Sequence, residues 1–165
     1  MSSSTGSLLK GALAGAVGTA AMTVHQELRQ RLAGDQGESG DDQRADPWES
    51  APAPAQVGKR LIESLLHRRV PASAIPVLTQ VMHWSYGTSW GCMYAIARER
   101  LDRLDLRLQG PIIGIAVWAA SYVQLVPAGI YEPPWRYPLG SLADEIGYHL
   151  TYGTTVAFAY EALHR

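Results

Sequence analysis

The chain has 165 residues, the length of a single domain, and a net charge of −1 at pH 7. Because basic and acidic residues balance, no basic surface indicates a nucleic-acid partner. The single cysteine excludes an internal disulfide framework and any metal site made of several cysteines.

The first apolar segment, residues 11–26, lies between Lys10 and Glu27 and contains no charged residue. It predicts a first membrane span over residues 8–26 if the flanking charged groups lie at the membrane interface. Two other interpretations stay open: a buried helix in a soluble bundle, or the apolar region of a signal peptide.

The next part of the chain is polar. Residues 34–54 are acidic and rich in Gly and Pro, with few large apolar side chains, and we expect this loop to be disordered. Residues 55–69 then place their Val, Ile and Leu residues on one helical face, which predicts an amphipathic helix. Such a helix would lie along the membrane surface or cap the bundle.

Two long segments lack Asp, Glu, Lys and Arg: 28 residues over 70–97 and 24 residues over 108–131. A membrane helix needs about 20 mostly apolar residues, so these segments predict spans over 72–97 and 109–130. A shorter segment, 146–160, predicts a last span over 142–162. The Pro-rich connection before it carries Tyr131, Trp135 and Tyr137, which suit a membrane interface.

Two pairs of similar segments occur in the same order along the chain. GALAGAVGTAAMTV (11–24) resembles GPIIGIAVWAASYV (110–123), and HWSYGTSWGCMY (83–94) resembles HLTYGTTVAFAY (149–160). The order indicates a duplicated helical hairpin. We therefore predict an all-α fold, a four-helix transmembrane bundle of two similar hairpins joined through a long polar first loop.

Glycines at repeated positions predict close helix packing, since a missing side chain lets two backbones approach. The predicted packing residues are Gly11, Gly15, Gly87, Gly110, Gly114 and Gly153. The G-x-x-x-G spacing also allows a homo-oligomer as partner, although the same faces can pack within one chain.

Four arginines lie in the short connection 98–108. Because cytoplasmic loops of membrane proteins are enriched in Lys and Arg, this loop is predicted to be cytoplasmic. With four spans, both chain termini then lie on the cytoplasmic side as well.

Polar side chains inside the apolar segments form the candidate site, because such groups normally face the bundle interior. The candidates are His25, His83, Tyr86, Gln124, Glu145, His149 and Tyr152. Glu145 precedes His149 by one turn and is expected to accept its N–H, and His25 aligns with Gln124 as a second polar pair.

Three interpretations of this polar core stay open. Its groups form packing hydrogen bonds, or they support proton or small-solute movement. Alternatively, a soluble or membrane bundle binds haem or a metal through His83 and His149. We predict no catalytic residue and no enzyme, because no activated nucleophile stands out, and no metal site or cofactor is required.

The second half of the chain resembles the YagU-like family of bacterial inner-membrane proteins. The similar features are the His83 segment, the Gly110/Gly114 segment, the Pro-rich loop with Trp135, and the sequence EIGYH at 145–149. The resemblance implies a multi-span protein of the bacterial inner membrane, with the lipid bilayer as its surroundings. It implies no reaction and no catalytic residues.

Overall fold

The computed structural model describes residues 4–34 and 46–165, and over these ranges the chain folds entirely into helices and connections without strands. The helices are α1 (Ser4–Ala33), α2 (Ala53–Leu66), α3 (Ile75–Leu101), α4 (Leu106–Leu125) and α5 (Leu139–His164). Short 3-10 turns precede α3 and α5. The predicted all-α helical bundle is confirmed.

Several helix boundaries differ from the predicted spans, because a helix does not have to stop where an apolar segment stops. Beyond residue 97, α3 continues through Arg98, which forms an i,i+4 ion pair of 2.5 Å with Asp102. In the other direction, α4 ends at Leu125 instead of residue 130. There Pro127 interrupts the helical pattern and Gly129 adopts a positive φ of 65°.

The first loop is only partly as predicted. Residues 35–45 lie outside the described ranges, but 46–54, expected to be disordered, contain a turn and the first residues of α2. They have defined positions because Ala51 and Ala55 are buried against Leu78 of α3, with Trp48 packed beside them. The amphipathic helix predicted over 55–69 is α2, which ends earlier, where His67 adopts the left-handed conformation.

The four long helices run alternately up and down, with α1 between α3 and α5 and with α4 on the far side of α5. The short α2 packs against α3. By contrast, α3 and α4 make few contacts with each other. We call the end of the bundle that carries the connection 102–105 the arginine end. The opposite end carries α2 and the connection 126–138, and we call it the α2 end.

The first hairpin closes through glycines. Gly15 of α1 faces Gly87 of α3, and a Cβ atom on Gly15 would lie 2.6 Å from the Gly87 carbonyl oxygen. Gly11 packs in the same way against Gly91, one turn further along. No side chain larger than hydrogen fits at these four positions while the helices stay this close.

The second hairpin closes in a similar way. Gly153 of α5 lies between Gly110 and Gly114 of α4, and a Cβ atom on Gly153 would lie 2.8 Å from the Gly114 Cα. All six predicted packing glycines therefore lie at helix contacts inside the chain. Both G-x-x-x-G faces are used within the chain, and a homo-oligomer stays a prediction.

Many large apolar side chains lie on the outer surface of the bundle, and a few polar groups lie inside it. Tyr94 and Gln109 are buried, at 0% and 2% exposure, whereas Leu9 and Val123 are 63% and 72% exposed. Every long helix exposes large apolar side chains, among them Leu13, Val17, Val24, Val77, Val81, Ile96, Ile112, Ile115 and Phe158. Such extended apolar surface is unusual on a monomer in water.

Two helical segments, Thr5–Ala33 and Leu106–Leu125, are long and apolar enough to cross a membrane by length and composition. Only 33% of the most apolar window in each is buried. A core helix of a soluble protein would be mostly buried, although a signal sequence can also meet this criterion. Among the described residues, α3 and α5 do not meet it, since Ser, Thr, His and Tyr lower their mean hydropathy.

Candidate functional site

A cavity of about 350 Å³ lies between the long helices in the half of the bundle nearer the α2 end. It occupies the gap where α3 and α4 stay apart. Six of the seven predicted site residues line it: His83, Tyr86, Gln124, Glu145, His149 and Tyr152. Residues from α2 and the connection after α4 also contribute to its wall.

The size of a side chain on α4 helps to explain why the cavity exists. In the sequence alignment of α1 with α4, Gly18 corresponds to Val117. Gly18 lets α1 approach α5 so closely that a Cβ atom there would lie 2.6 Å from Val156 Cγ2. The Val117 side chain instead lines the cavity, on the side of α4 that faces α3.

His25 is the predicted residue that does not line the cavity. Its Nδ1 lies 2.8 Å from the Thr151 hydroxyl, which donates its own hydrogen to the Gly147 carbonyl. His25 Nδ1 must therefore be the donor in this bond between α1 and α5. Its aligned counterpart Gln124 bonds elsewhere, to the Tyr86 hydroxyl at 3.2 Å. The two residues, which match each other in the repeat alignment, therefore have different partners in the bundle.

His149 lies in the cavity wall with a defined tautomer. Its Nδ1 is 2.7 Å from the main-chain carbonyl oxygen of Glu145. A carbonyl only accepts hydrogen bonds, so Nδ1 carries the hydrogen and Nε2 of the neutral ring is left as an acceptor. The expectation that the Glu145 carboxylate accepts this N–H is wrong, because the carbonyl one turn back lies directly beside the ring.

The Glu145 carboxylate instead accepts hydrogen bonds from α4. Its Oε2 lies 2.7 Å from the Tyr122 hydroxyl and 3.4 Å from Trp118 Nε1. Sequence reasoning missed both donors. Their spacing of four residues, which places them on one helix face, was the available signal.

A group of tyrosines surrounds this carboxylate. The Tyr131 ring, from the connection after α4, lies 5.3 Å from that of Tyr122, and the Tyr137 ring lies 6.2 Å from it. Burial, assisted by the negative charge of Glu145, raises the pKa of Tyr131 to about 12. Tyr131 was predicted only as an interfacial residue, but it also lines the cavity.

His83 is the second histidine of the cavity, and its Nε2 atom is buried without a hydrogen-bond partner. No other buried side-chain nitrogen or oxygen in the described ranges lacks one. Buried polar atoms are usually satisfied, so this unpartnered nitrogen is an exception within a residue of the cavity wall.

A second cavity of about 340 Å³ adjoins the first, and Gln26, Pro54, His83 and Tyr148 line both. Its remaining wall is formed by Thr23, Gln30, Pro52, Thr79 and Gln80, which belong to the α2 end of α1 and α3 and to the residue before α2. The second cavity therefore lies between the first cavity and the α2 end of the bundle.

The bundle is closed on the other side of the cavity. Here Tyr94 donates a hydrogen bond of 2.7 Å to Gln109 Oε1, and its ring contacts that of Tyr160 at 5.4 Å. Gln109 also donates to the Leu104 carbonyl at 2.9 Å. These three buried side chains, here called the closing layer, separate the cavity from the arginine end.

Among residues 4–34 and 46–165, no group of three or more His, Cys, Asp or Glu side chains is arranged to hold a metal ion. Of the two histidines in the cavity wall, His149 has Nε2 as an acceptor, and His83 has a buried Nε2 without a partner. Haem ligation through these two histidines stays a prediction.

Comparison of the chain with protein-family models, curated proteins and solved structures finds no match.

Proposed function

We propose that the chain is a polytopic inner-membrane protein in which α1, α3, α4 and α5 span the bilayer. We further propose that its polar cavity supports the movement of protons or small solutes. The carrying observation is the apolar outer surface of the four long helices, combined with a cavity inside that His83, Glu145 and His149 line. Polar groups inside a membrane protein normally face the bundle interior, as they do here.

The positions of the charged residues support the membrane assignment. Lys10 and Glu27 border the charge-free part of α1, and Glu145 and Glu161 border that of α5. At about 1.5 Å per residue these segments measure roughly 24 Å, somewhat less than the roughly 30 Å of bilayer hydrocarbon. At the borders of α1, Lys10 and Glu27 can reach the interface by extending toward water, whereas the Glu145 side chain turns into the cavity.

We also propose that the bundle arose by duplication of one hairpin. In support, each hairpin closes where two glycines of its first helix enclose one glycine of its second. The glycine pair Gly11/Gly15 encloses Gly91, and Gly110/Gly114 encloses Gly153. The repeat alignment pairs Gly153 with Gly87, so the contact has shifted by one helical turn in one copy.

For orientation, we propose that the arginine end and both chain termini lie in the cytoplasm, since the connection 98–108 carries four arginines. The test uses two single-cysteine variants in a C92A background. An impermeant maleimide added to spheroplasts is expected to label W135C, a position 81% exposed at the α2 end. R103C should be labelled only after the membrane is permeabilised.

Permeabilised samples provide the control: both cysteines must be labelled there, which shows that each one is reactive once the reagent can reach it. Labelling of both variants from the outside, or of neither, would contradict the two-sided arrangement. Labelling of R103C alone would show that the orientation is inverted.

The shape of the cavity limits how it would act in transport. The adjoining cavity lies between it and the α2 end, and we propose that solutes enter this way, while the closing layer of Tyr94, Gln109 and Tyr160 blocks the other direction. A solute that enters from the α2 end reaches His149 but cannot leave toward the arginine end unless this layer opens. Movement across the membrane would therefore require a conformational change.

We expect reconstituted vesicles to show pH-dependent proton flux that H149A reduces to the level of protein-free vesicles. His149 supplies the available Nε2 in the cavity, and alanine removes it. A pH-sensitive dye enclosed in the vesicles measures the flux. H164A, which removes an exposed histidine at the other end of the same helix, should keep the wild-type flux. Equal flux in H149A and wild type would show that His149 does not take part in proton movement.

A further inference from the structure

The cavity contains one acidic side chain and two histidines, but no lysine or arginine. Among the described residues that line the two cavities, Glu145 is the only Asp or Glu, and none is Lys or Arg. The ion pairs of the described residues do not include Glu145. A carboxylate in a membrane bundle is costly unless a partner compensates its charge.

We propose that this cavity binds a small organic cation, a protonated amine with an apolar body, and that Glu145 is its counter-ion. The proposal deepens the proposed function of the cavity and rests on it.

The hydrogen bonds of Glu145 leave room for such a ligand. Tyr122 and Trp118 both donate to Oε2, so Oε1 accepts no hydrogen bond from the described residues. Tyr122 and Trp118 are neutral donors that orient the carboxylate without neutralising it. An ammonium group placed at Oε1 would supply the missing positive charge and a charge-assisted hydrogen bond.

The neighbouring polar atoms also favour a hydrogen-bond donor. His149 offers Nε2 as an acceptor, because its Nδ1 hydrogen is donated to the Glu145 carbonyl. His83 Nε2 has no partner in the described structure and lies in the same wall. An ammonium ion carries several N–H donors and can use both the Glu145 carboxylate and the His149 Nε2 acceptor. An anion would meet the Glu145 charge and find no cationic side chain.

The aromatic and apolar parts of the wall fit the remainder of the ligand. Rings of Tyr86, Tyr131 and Tyr152 line the cavity, and aromatic faces attract cations that have lost part of their water. Apolar side chains complete the wall, namely Met22, Met82, Val117 and Leu125. The volume of about 350 Å³ lies at the small end of ligand pockets.

The test compares three probes of similar size, benzylammonium, benzyl alcohol and benzoate, by titration calorimetry on the purified full chain in detergent at neutral pH. We expect benzylammonium to bind saturably and the neutral and anionic probes to bind about tenfold more weakly or not at all. E145Q should weaken benzylammonium binding by about the same factor. D144N, which changes the adjacent acid paired with Arg29 at the surface, should leave it unchanged.

Equal binding of the three probes, equal binding by E145Q and wild type, or no binding by folded wild type would each overturn the proposal. The probe series needs no variant, so it decides the matter even if E145Q does not fold. If benzylammonium does not bind but W135C is labelled from the outside and R103C only after permeabilisation, only the amine-binding proposal is wrong. If W135C and R103C are both labelled from the outside, or neither is, and benzylammonium still binds, the membrane assignment is wrong and the amine site remains.

Discussion

Replacing Gly153 with alanine is expected to lower the free energy of unfolding by about 2–3 kcal/mol, as overpacking of a tight contact does. A Cβ atom on Gly153 would overlap the Gly110 carbonyl oxygen and lie 2.8 Å from the Gly114 Cα. These are backbone atoms, so a rotamer change cannot relieve the overlap and α4 must move away from α5. Titration of the detergent-solubilised protein with SDS, followed by circular dichroism, measures the effect.

Gly140 provides the matched control on the same helix. A Cβ atom there meets no atom within 4 Å, and alanine favours the helical backbone relative to glycine. G140A should therefore keep the wild-type stability or raise it by up to about 1 kcal/mol. Equal stability of G153A and G140A would show that the close contact between α4 and α5 does not form.

Replacing Val17 with arginine is expected to lower the fraction of the chain that integrates into the membrane, because α1 no longer inserts favourably. Val17 lies near the middle of the charge-free part of α1 and is 50% exposed on the outer surface. In lipid, an arginine at the centre of a span costs about 2.5–3.5 kcal/mol on insertion scales. At a water-exposed surface the same change would cost about 0.5 kcal/mol or less. The fraction of chain left in the membrane pellet after an alkaline carbonate wash measures the difference.

L32R is the control on the same helix. Leu32 is 72% exposed, but it lies beyond Glu27 and next to Arg31, outside the proposed hydrocarbon region. L32R should remain in the pellet like wild type. If V17R also remains there, the outer surface of α1 does not face lipid.

The periodicity and charge distribution of the sequence were sufficient to predict the four long helices. The repeated glycines also indicated which faces pack, because a glycine that allows close approach must lie at a contact. The predicted helix ends were less accurate, since they followed the apolar segments. Ion pairs such as Arg98–Asp102 extend α3 past its apolar part.

The candidate site was predictable for residues that stand out as polar in an apolar segment, such as His83 and Glu145. It was not predictable for Tyr131, because only the three-dimensional course of a Pro-rich connection brings that ring to the cavity. The sequence also could not predict that His25 lies outside the cavity wall. Its position depends on the rotation of α1 against α5, which no local pattern determines.

The unequal contacts between helices have a mechanical consequence. The tight contact between α1 and α5 joins the two hairpins along one edge of the bundle. On the opposite edge, α3 and α4 meet mainly through side chains, including the hydrogen bond from Tyr94 to Gln109. Relative rotation of the hairpins will therefore part that edge first, since it breaks a few polar bonds and leaves the glycine contacts intact.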